Sequence, residues 1–238
     1  MINKKGLLTG LLLTGLLSGC DGDDNSALAA FLGAIFLGDT EIAGTDEVFS
    51  ASVDGTTVTK LSGTLVAGGK VRSFQVSPDR RYVAYQADQD VDDVIELYVV
   101  RASDGVITKV SGALVMDGDA NSSFAWAPDS SRIAYRADQD TDQVFEIYTS
   151  TPDGMTNDKV SGTLPLNGDV SGDFAWAPDS SRIGYIADQT TDDVFELYTS
   201  TPDGMTNTKV SGTVVAGGNG VNEARLVDSL GISELISD

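Results

Sequence analysis

One tyrosine-bounded segment occurs three times in the 238-residue chain, and this repeat constrains the possible fold more than any other feature. The copies read YQADQDVDDVIELY, YRADQDTDQVFEIY and YIADQTTDDVFELY, and they begin at Tyr85, Tyr135 and Tyr185, 50 residues apart. A fixed period of this length indicates a solenoid, a propeller or another array, because each unit buries its apolar face against its neighbours.

Each unit contains four short apolar segments separated by turn residues. In the central unit the predicted strands are 124–127, 132–137, 144–150 and 159–163. Pro128, Asp138 and Pro152 begin the turns between them, since Pro fixes φ and Asp bonds to nearby backbone. The third segment is apolar on both faces, which is typical of a strand covered on both sides. Four strands per unit without a helical period predict an all-β fold, a β-propeller of four-stranded blades.

The unit also resembles a known repeat. FAWAPDSSRIAY, which starts at Phe124, and VFEIYTSTPDG, which starts at Val144, are together similar to the TolB-like β-propeller repeat, a relative of the WD-repeat propellers. The resemblance extends over about residues 33–212, although this chain has Asp-Ser-Ser where that repeat usually has an Asp-Gly turn. It implies a propeller that acts as a platform for protein interactions.

The two ends of the repeat region are incomplete units. Residues 33–39 resemble a second strand, so the first unit lacks its first strand. Residues 222–228 lie where the first strand of a fifth unit would fall. Either this strand completes the first unit and closes a ring of three full blades and one partial blade, or the last residues belong to no blade. The predicted propeller region is 33–228, followed by a tail at 229–238.

The N-terminus has the features of a targeting segment. Lys4 and Lys5 precede an apolar run at 6–17, which has the length of a signal-peptide core and is too short to span a bilayer. The run ends in Leu-Ser-Gly-Cys, which resembles the lipobox of bacterial lipoproteins, and the resemblance implies lipidation of Cys20. We therefore expect a signal peptide at 1–19, a linker at 20–32, and a membrane-anchored lipoprotein on the periplasmic or extracellular side of the bacterial cell envelope.

Composition excludes several kinds of chemistry. The chain has no histidine and one cysteine, which excludes Ser-His-Asp and Cys-His catalysis, histidine-ligated zinc, thiolate metal sites and internal disulfides. The formal net charge of −21 argues against a nucleic-acid partner, since phosphate binding requires clustered lysine and arginine. The charge serves solubility alone, or it attracts a cationic partner such as a metal ion or a basic protein surface.

The turns between the second and third strands are rich in aspartate and are expected to gather on one face of a propeller. Oxygen ligands at positions i, i+2 and i+4 are the pattern of a calcium loop. The candidate metal ligands are Asp88, Asp90, Asp92, Asp138, Asp140, Asp142, Asp188 and Asp192. The pattern lacks the glycine at the sixth position and the glutamate at the twelfth, which are Gln143 and Thr149 in the central unit. An acidic turn without a ligand explains the same residues, because Asp favours turns.

A glutamate recurs within each apolar third strand, where a buried carboxylate requires a partner. Arginines on the second strand are the predicted partners in structural ion pairs. The residues concerned are Glu96, Glu146 and Glu196, with Arg81, Arg132 and Arg182. A general acid or a ligand anchor is the alternative, but repetition in every blade favours a structural role. Trp126 and Trp176 are likewise predicted to lie in the core between blades.

No residue breaks the repeat as a catalytic group would, so the sequence predicts a protein that is not an enzyme. The expected function is that of a lipid-anchored envelope protein whose propeller is a non-catalytic module for protein binding or scaffolding. The alternative is a calcium-dependent binding or adhesion module that uses the Asp-rich loops. The expected partners are the membrane, through the lipidated N-terminus, and an envelope protein; apart from calcium, no cofactor is expected.

Overall fold

The described part of the chain consists of β-strands, turns and loops, without a helix. The computed structural model describes residues 30–120, 123–215, 218, 220–227 and 233–237. The predicted signal peptide, Cys20 and most of the predicted linker lie outside these residues. No helix in the described ranges is long and apolar enough to cross a membrane.

Three four-stranded antiparallel sheets, each with its strands in sequence order, form the middle of the molecule. Blade 2 contains β4 (Val71–Val76), β5 (Tyr82–Ala87), β6 (Glu96–Arg101) and β7 (Ile107–Lys109). Blade 3 contains β8 (Phe124–Trp126), β9 (Ile133–Ala137), β10 (Glu146–Ser150) and β11 (Asn157–Lys159). Blade 4 contains β12 (Val170–Trp176), β13 (Ile183–Ala187), β14 (Glu196–Ser200) and β15 (Asn207–Lys209). The predicted all-β fold with propeller blades is confirmed.

Two smaller sheets flank these blades. Blade 1 contains β1 (Ala34–Gly38), β2 (Glu47–Ala51) and β3 (Val58–Lys60). Blade 5 contains β16 (Glu223–Val227) and β17 (Ser233–Ser237). Within the described residues blade 1 therefore has three strands, in agreement with the predicted absence of a first strand.

The C-terminal strand does not close the ring by strand exchange, which was one of the two alternatives that the sequence left open. β16 pairs with β17, from Glu223 opposite Ser237 to Val227 opposite Ser233, rather than completing blade 1. A short hairpin loop costs less entropy to close than a pairing between the two ends of the chain. Val221 N also donates to Phe195 O at 2.8 Å. An equivalent backbone hydrogen bond joins each earlier blade to the next. The region predicted as a tail thus contains the second strand of a fifth blade.

Tyrosines of the second strands lie at the junctions between blades. Tyr135 is fully buried and its hydroxyl donates to Gln139 Oε1 at 2.7 Å. Gly112, at the end of the preceding blade, donates its N–H to the Tyr135 hydroxyl at 3.1 Å and to Gln139 Oε1 at 2.9 Å. A Cβ at Gly112 would overlap the Gln139 side chain, and Gly63 and Gly162 face Gln89 and Gln189 in the same way.

The two tryptophans lie between blades, as predicted. Trp126 is 7% exposed and Trp176 is 3% exposed, and both belong to clusters that contain residues of two blades. Trp176 Nε1 donates to Ala125 O in the preceding blade at 3.1 Å. Each indole therefore buries its ring and satisfies its donor at the same junction.

The Pro-Asp-Ser-Ser turn adopts the conformation for which related repeats use glycine. Ser130 and Ser180 have φ values of 63° and 62°, in the left-handed region. The hydroxyl of Ser130 accepts a hydrogen bond from Asp79 N of the preceding blade at 3.0 Å. Ser180 bonds to Asp129 N in the same way. A glycine would relieve the backbone strain but would lose this bond between blades.

The fourth strand begins and ends earlier than predicted. In blade 3 it covers Asn157–Lys159, whereas the predicted range was 159–163. The ladder ends because Val160 N and Ser161 N both donate to Ile147 O, at 2.9 and 3.3 Å. The Ser161 hydroxyl then accepts from Ile147 N at 3.2 Å, and the chain leaves the sheet towards the next blade.

Candidate functional site: the acidic rim

Linkers between blades join the turns between second and third strands. Asp119, in the linker 113–119, accepts a hydrogen bond from Ile95 N at 2.7 Å and donates its own N–H to Asp138 Oδ1 at 2.6 Å. Ile95 follows the turn of blade 2, and Asp138 begins the turn of blade 3. The next junction repeats this arrangement. We call this edge the acidic rim: turns 88–93, 138–143 and 188–193, with linkers 113–119 and 163–169.

The first aspartate of each turn is a structural element of the rim. Asp88, Asp138 and Asp188 are 1%, 4% and 2% exposed. Besides its bond to Asp119, Asp138 accepts from Gln143 N at 3.0 Å, which closes the turn. Burial, with the neighbouring carboxylates as a further cause, raises the pKa of the linker residue Asp119. Local backbone donors therefore already occupy the innermost carboxylates.

The sixth position of each turn has the backbone conformation that a calcium loop obtains from glycine. Asp93, Gln143 and Asp193 have φ values of 60°, 61° and 62°. Side chains reach this region at a cost that glycine does not have. The missing glycine is thus no obstacle to the turn, because the closing bond to the first aspartate holds it in place.

The third residue of the turn and the buried glutamate share one lysine. Lys159 Nζ lies 3.0 Å from Asp140 Oδ2 and 3.1 Å from Glu146 Oε1. The hydroxyl of Tyr148 donates to Glu146 Oε2 at 3.0 Å. The same groups meet in blade 2, around Lys109. Asp90 and Asp140 are therefore paired with lysine and do not join the first aspartate of their turn around a common point.

The predicted ion pairs between glutamate and arginine are wrong. Glu96, Glu146 and Glu196 pair with lysines of the fourth strand, namely Lys109, Lys159 and Lys209. The strand register gives the reason: Glu146 is opposite Ala137, whereas Ser150, at the other end of β10, is opposite Ile133, next to Arg132.

The arginines lie at the far end of the blades from the glutamates. Arg132 Nη1 lies 2.6 Å from Asp158 Oδ2, and Arg81 Nε lies 3.5 Å from Asp79 Oδ2. Arg182 precedes β13, whose first residue is opposite the last residue of β14.

The Glu-Lys-Tyr clusters shift the pKa values of several of their members. Hydrogen bonding to Glu96 raises the pKa of Lys109. Burial raises the pKa of Tyr98, and the adjacent Glu96 carboxylate raises it further. Burial alone would raise the pKa of Glu196, but hydrogen bonds from Lys209 and Tyr198 outweigh it and hold the pKa below its usual range. Lys109, Tyr98 and Glu196 thus keep the protonation states in which they form these bonds, as structural elements do.

Blade 1 contains the one exception. Glu47 is 1% exposed and forms an ion pair with Lys60, but its Oε2 is the only buried side-chain oxygen or nitrogen without a partner in the described residues. The tyrosine that would donate to this oxygen is replaced by Phe49, which is 2% exposed. The unpaired oxygen therefore results from the loss of one hydroxyl group.

Three of the rim aspartates come close enough to share a cation. One carboxylate oxygen from each of Asp88, Asp92 and Asp93 lies within 4.8 Å of the other two, and no other such triad occurs in the described ranges. Asp92 and Asp93 are exposed, while Asp88 is buried. Arg72 Nη2 lies 3.4 Å from Asp88 Oδ2, and Lys70 N donates to Asp88 Oδ1 at 2.6 Å. A metal ion there would compete with the arginine.

The rim also presents large apolar side chains. Met116 and Leu166, at the same place in successive linkers, are 85% and 86% exposed, and Val91 is 54% exposed. Leu166 lines a cleft of about 460 Å³ together with Asp140 and Thr141. The sequence-based prediction missed this apolar component, although a large apolar residue at the same place in two linkers could have indicated it.

The chain resembles solved structures in fold only. Dipeptidyl peptidase 4 from Porphyromonas gingivalis is 12% identical with a TM-score of 0.57, over 74% of this chain and 30% of that protein. Prolyl oligopeptidase B from Galerina marginata is 12% identical with a TM-score of 0.51, over 78% and 30%. TolB from Acinetobacter baumannii is 10% identical with a TM-score of 0.47, over 85% and 48%.

The two peptidases, whose TM-scores exceed 0.5, contain β-propellers, which agrees with the blades described above. The chain spans less than half of the length of each. No protein-family model and no curated protein matches the sequence.

Proposed function

We propose that this chain is a lipid-anchored envelope protein whose blades form a non-catalytic protein-binding module, and that the acidic rim is the binding surface. One observation carries the proposal. The buried polar groups repeat from blade to blade and bond to one another, whereas the rim exposes carboxylates beside large apolar side chains. Such a mixture of charge and protruding apolar surface is typical of a protein interface.

A photoreactive amino acid in the full-length protein in its native host tests the proposal. At Thr141 on the rim it is expected to crosslink a defined protein. Thr206 is exposed at the far end of blade 4, and the same photoreactive residue at this position is expected to give no crosslink. Equal crosslinking from both positions, or none from Thr141, would contradict a partner on the rim.

The membrane anchor has its own test. The Cys20 thiol is the predicted acylation site, and several acyl chains anchor a protein stably. Cys20→Ser is expected to abolish incorporation of labelled fatty acid and to release the protein from the membrane fraction. Retained labelling in this variant would exclude Cys20 as the lipidated residue.

Calcium binding is a second candidate function, favoured by the triad of Asp88, Asp92 and Asp93. Hard carboxylate oxygens are the ligands that Ca²⁺ prefers. We expect calorimetry to detect a heat of Ca²⁺ binding with the unaltered protein and with the control variant Asp142→Asn. We expect no such heat with Asp92→Asn, which removes a carboxylate of the triad. An absence of heat and of any change in melting temperature in the unaltered protein would exclude this function.

A further inference from the structure

The cleft at the blade 3 edge of the rim is lined by apolar side chains together with Asp140, Glu146 and Lys159. Leu164 packs against the core of blade 4, while Leu166 projects into solvent at the mouth of the cleft. Asp140 also lines the cleft and forms an ion pair with Lys159. A cleft of about 460 Å³ holds one or two side chains of a partner rather than a whole domain.

The preceding linker presents the same combination of side chains. Met116 takes the place of Leu166, and Asp117 beside it takes the place of Asn167. Asp90 and the exposed Val91 take the places of Asp140 and Thr141. Val115 N donates to Gln139 O at 3.0 Å, which fixes this linker against the next blade. Neighbouring blades thus offer similar apolar positions, each beside carboxylates.

Charge complementarity decides which partner fits. The net charge of −21 opposes approach of a second copy of this chain, of nucleic acid or of an anionic lipid surface. A partner gains binding energy from Met116 and Leu166 only if it places apolar groups against them. A partner segment must therefore carry cationic groups and large apolar side chains together.

We propose that these rim positions bind an extended segment of a partner protein in which Lys or Arg residues alternate with large apolar residues. This inference rests on the proposed function and names the chemistry of the partner. The carboxylates supply long-range attraction and orientation, and Met116 and Leu166 supply the contact area. Binding is therefore expected to weaken with salt and also with loss of either apolar side chain.

Fluorescence anisotropy with short synthetic peptides tests this, using the full-length protein in nanodiscs of neutral lipid and empty nanodiscs as background. The probes are a Lys/Leu peptide, a Lys/Ser peptide of equal charge and a Glu/Leu peptide. Met116→Ser is expected to weaken binding of the Lys/Leu peptide about tenfold, because the apolar contact made by the Met116 side chain is lost. Met155→Ser is the matched control, since Met155 is 84% exposed and lies at the opposite end of β10. Unchanged melting temperatures show that both variants fold.

Each outcome separates this inference from the proposed function. Equal binding of the Lys/Ser and Lys/Leu peptides, or equal effects of the two Met variants, would overturn the apolar contact. Crosslinking from Thr141 would still support a partner on the rim in that case. Tight binding of the Glu/Leu peptide would overturn the charge argument. Binding of the Lys/Leu peptide without any crosslink from Thr141 would support the cleft but contradict the proposed function.

Discussion

At the scale of single residues, a cluster is informative where one of its members changes. The Glu-Lys-Tyr cluster is complete in three blades, and in blade 1 Phe49 replaces the tyrosine and leaves Glu47 Oε2 unpaired. The sequence identified the recurring glutamates as buried and in need of partners. It did not identify lysine as the cation, because only the strand register shows which end of the neighbouring strand faces Glu146.

Phe49→Tyr is expected to stabilise the protein by about 1–2 kcal/mol, since the new hydroxyl can donate to a buried carboxylate. Tyr98→Phe is expected to destabilise it by about 1–3 kcal/mol, because Glu96 Oε2 loses its donor. Denaturant titration measures both free energies of unfolding. Phe36→Tyr is the control for Phe49→Tyr: the same change in the ring that stacks on Phe49 at 5.6 Å should bring no gain. Destabilisation by Phe49→Tyr would show that the site has no room for the hydroxyl.

At the scale of elements, turn chemistry was predictable and strand ends were less so. Pro, Asp and Ser correctly marked the turns, but the sequence pattern wrongly predicted that Val160–Thr163 belong to the fourth strand. Only the two hydrogen bonds from Val160 N and Ser161 N to Ile147 O show where the ladder ends. The Asp-rich turns show the same limit. Their spacing fits a calcium loop, yet Asp140 forms an ion pair with Lys159 and Asp138 accepts a backbone hydrogen bond.

Gln143→Gly is expected to stabilise the protein by up to about 1 kcal/mol. Gln143 is exposed with φ at 61°, and glycine adopts this conformation without steric cost. Thr141→Gly is the control within the same turn, where φ is not positive and only the entropic cost of glycine remains. Differential scanning calorimetry of both variants checks this; a lower melting temperature for Gln143→Gly than for Thr141→Gly would argue against strain at this position.

At the scale of the whole molecule, the period predicted where each module lies better than it predicted how the array ends. Counting 50 residues from β12 and β13 places both strands of blade 5, but 222–238 lacks the aromatic residues and prolines that mark the other units. The sequence therefore left open whether this region closes the ring or belongs to no blade. Local pairing of β16 with β17 and the bond from Val221 to Phe195 decide otherwise.

The repeated tyrosines make the whole fold sensitive to alkali. Burial raises the pKa of Tyr135 and of Tyr185 to about 12 from the ordinary value of 10.0. Above about pH 10 the unfolded chain loses these protons while the folded chain keeps them, so stability is lost as the pH rises. The raised pKa of Lys109 acts in the same direction, because the stability that its ion pair contributes is complete only below the unfolded pKa of 10.5 and is lost as the pH rises further. Denaturant midpoints that stay constant between about pH 8 and about pH 11 would contradict this.

The bond from Gly112 to Tyr135 and Gln139 has a consequence for how such a chain changes over evolutionary time. Equivalent bonds join Gly63 to Tyr85 and Gly162 to Tyr185, so adjoining modules present matching surfaces. A tandem duplication of one module in the gene would insert a blade whose two flanks already fit their new neighbours. The array can therefore lengthen or shorten by recombination without first evolving a new junction.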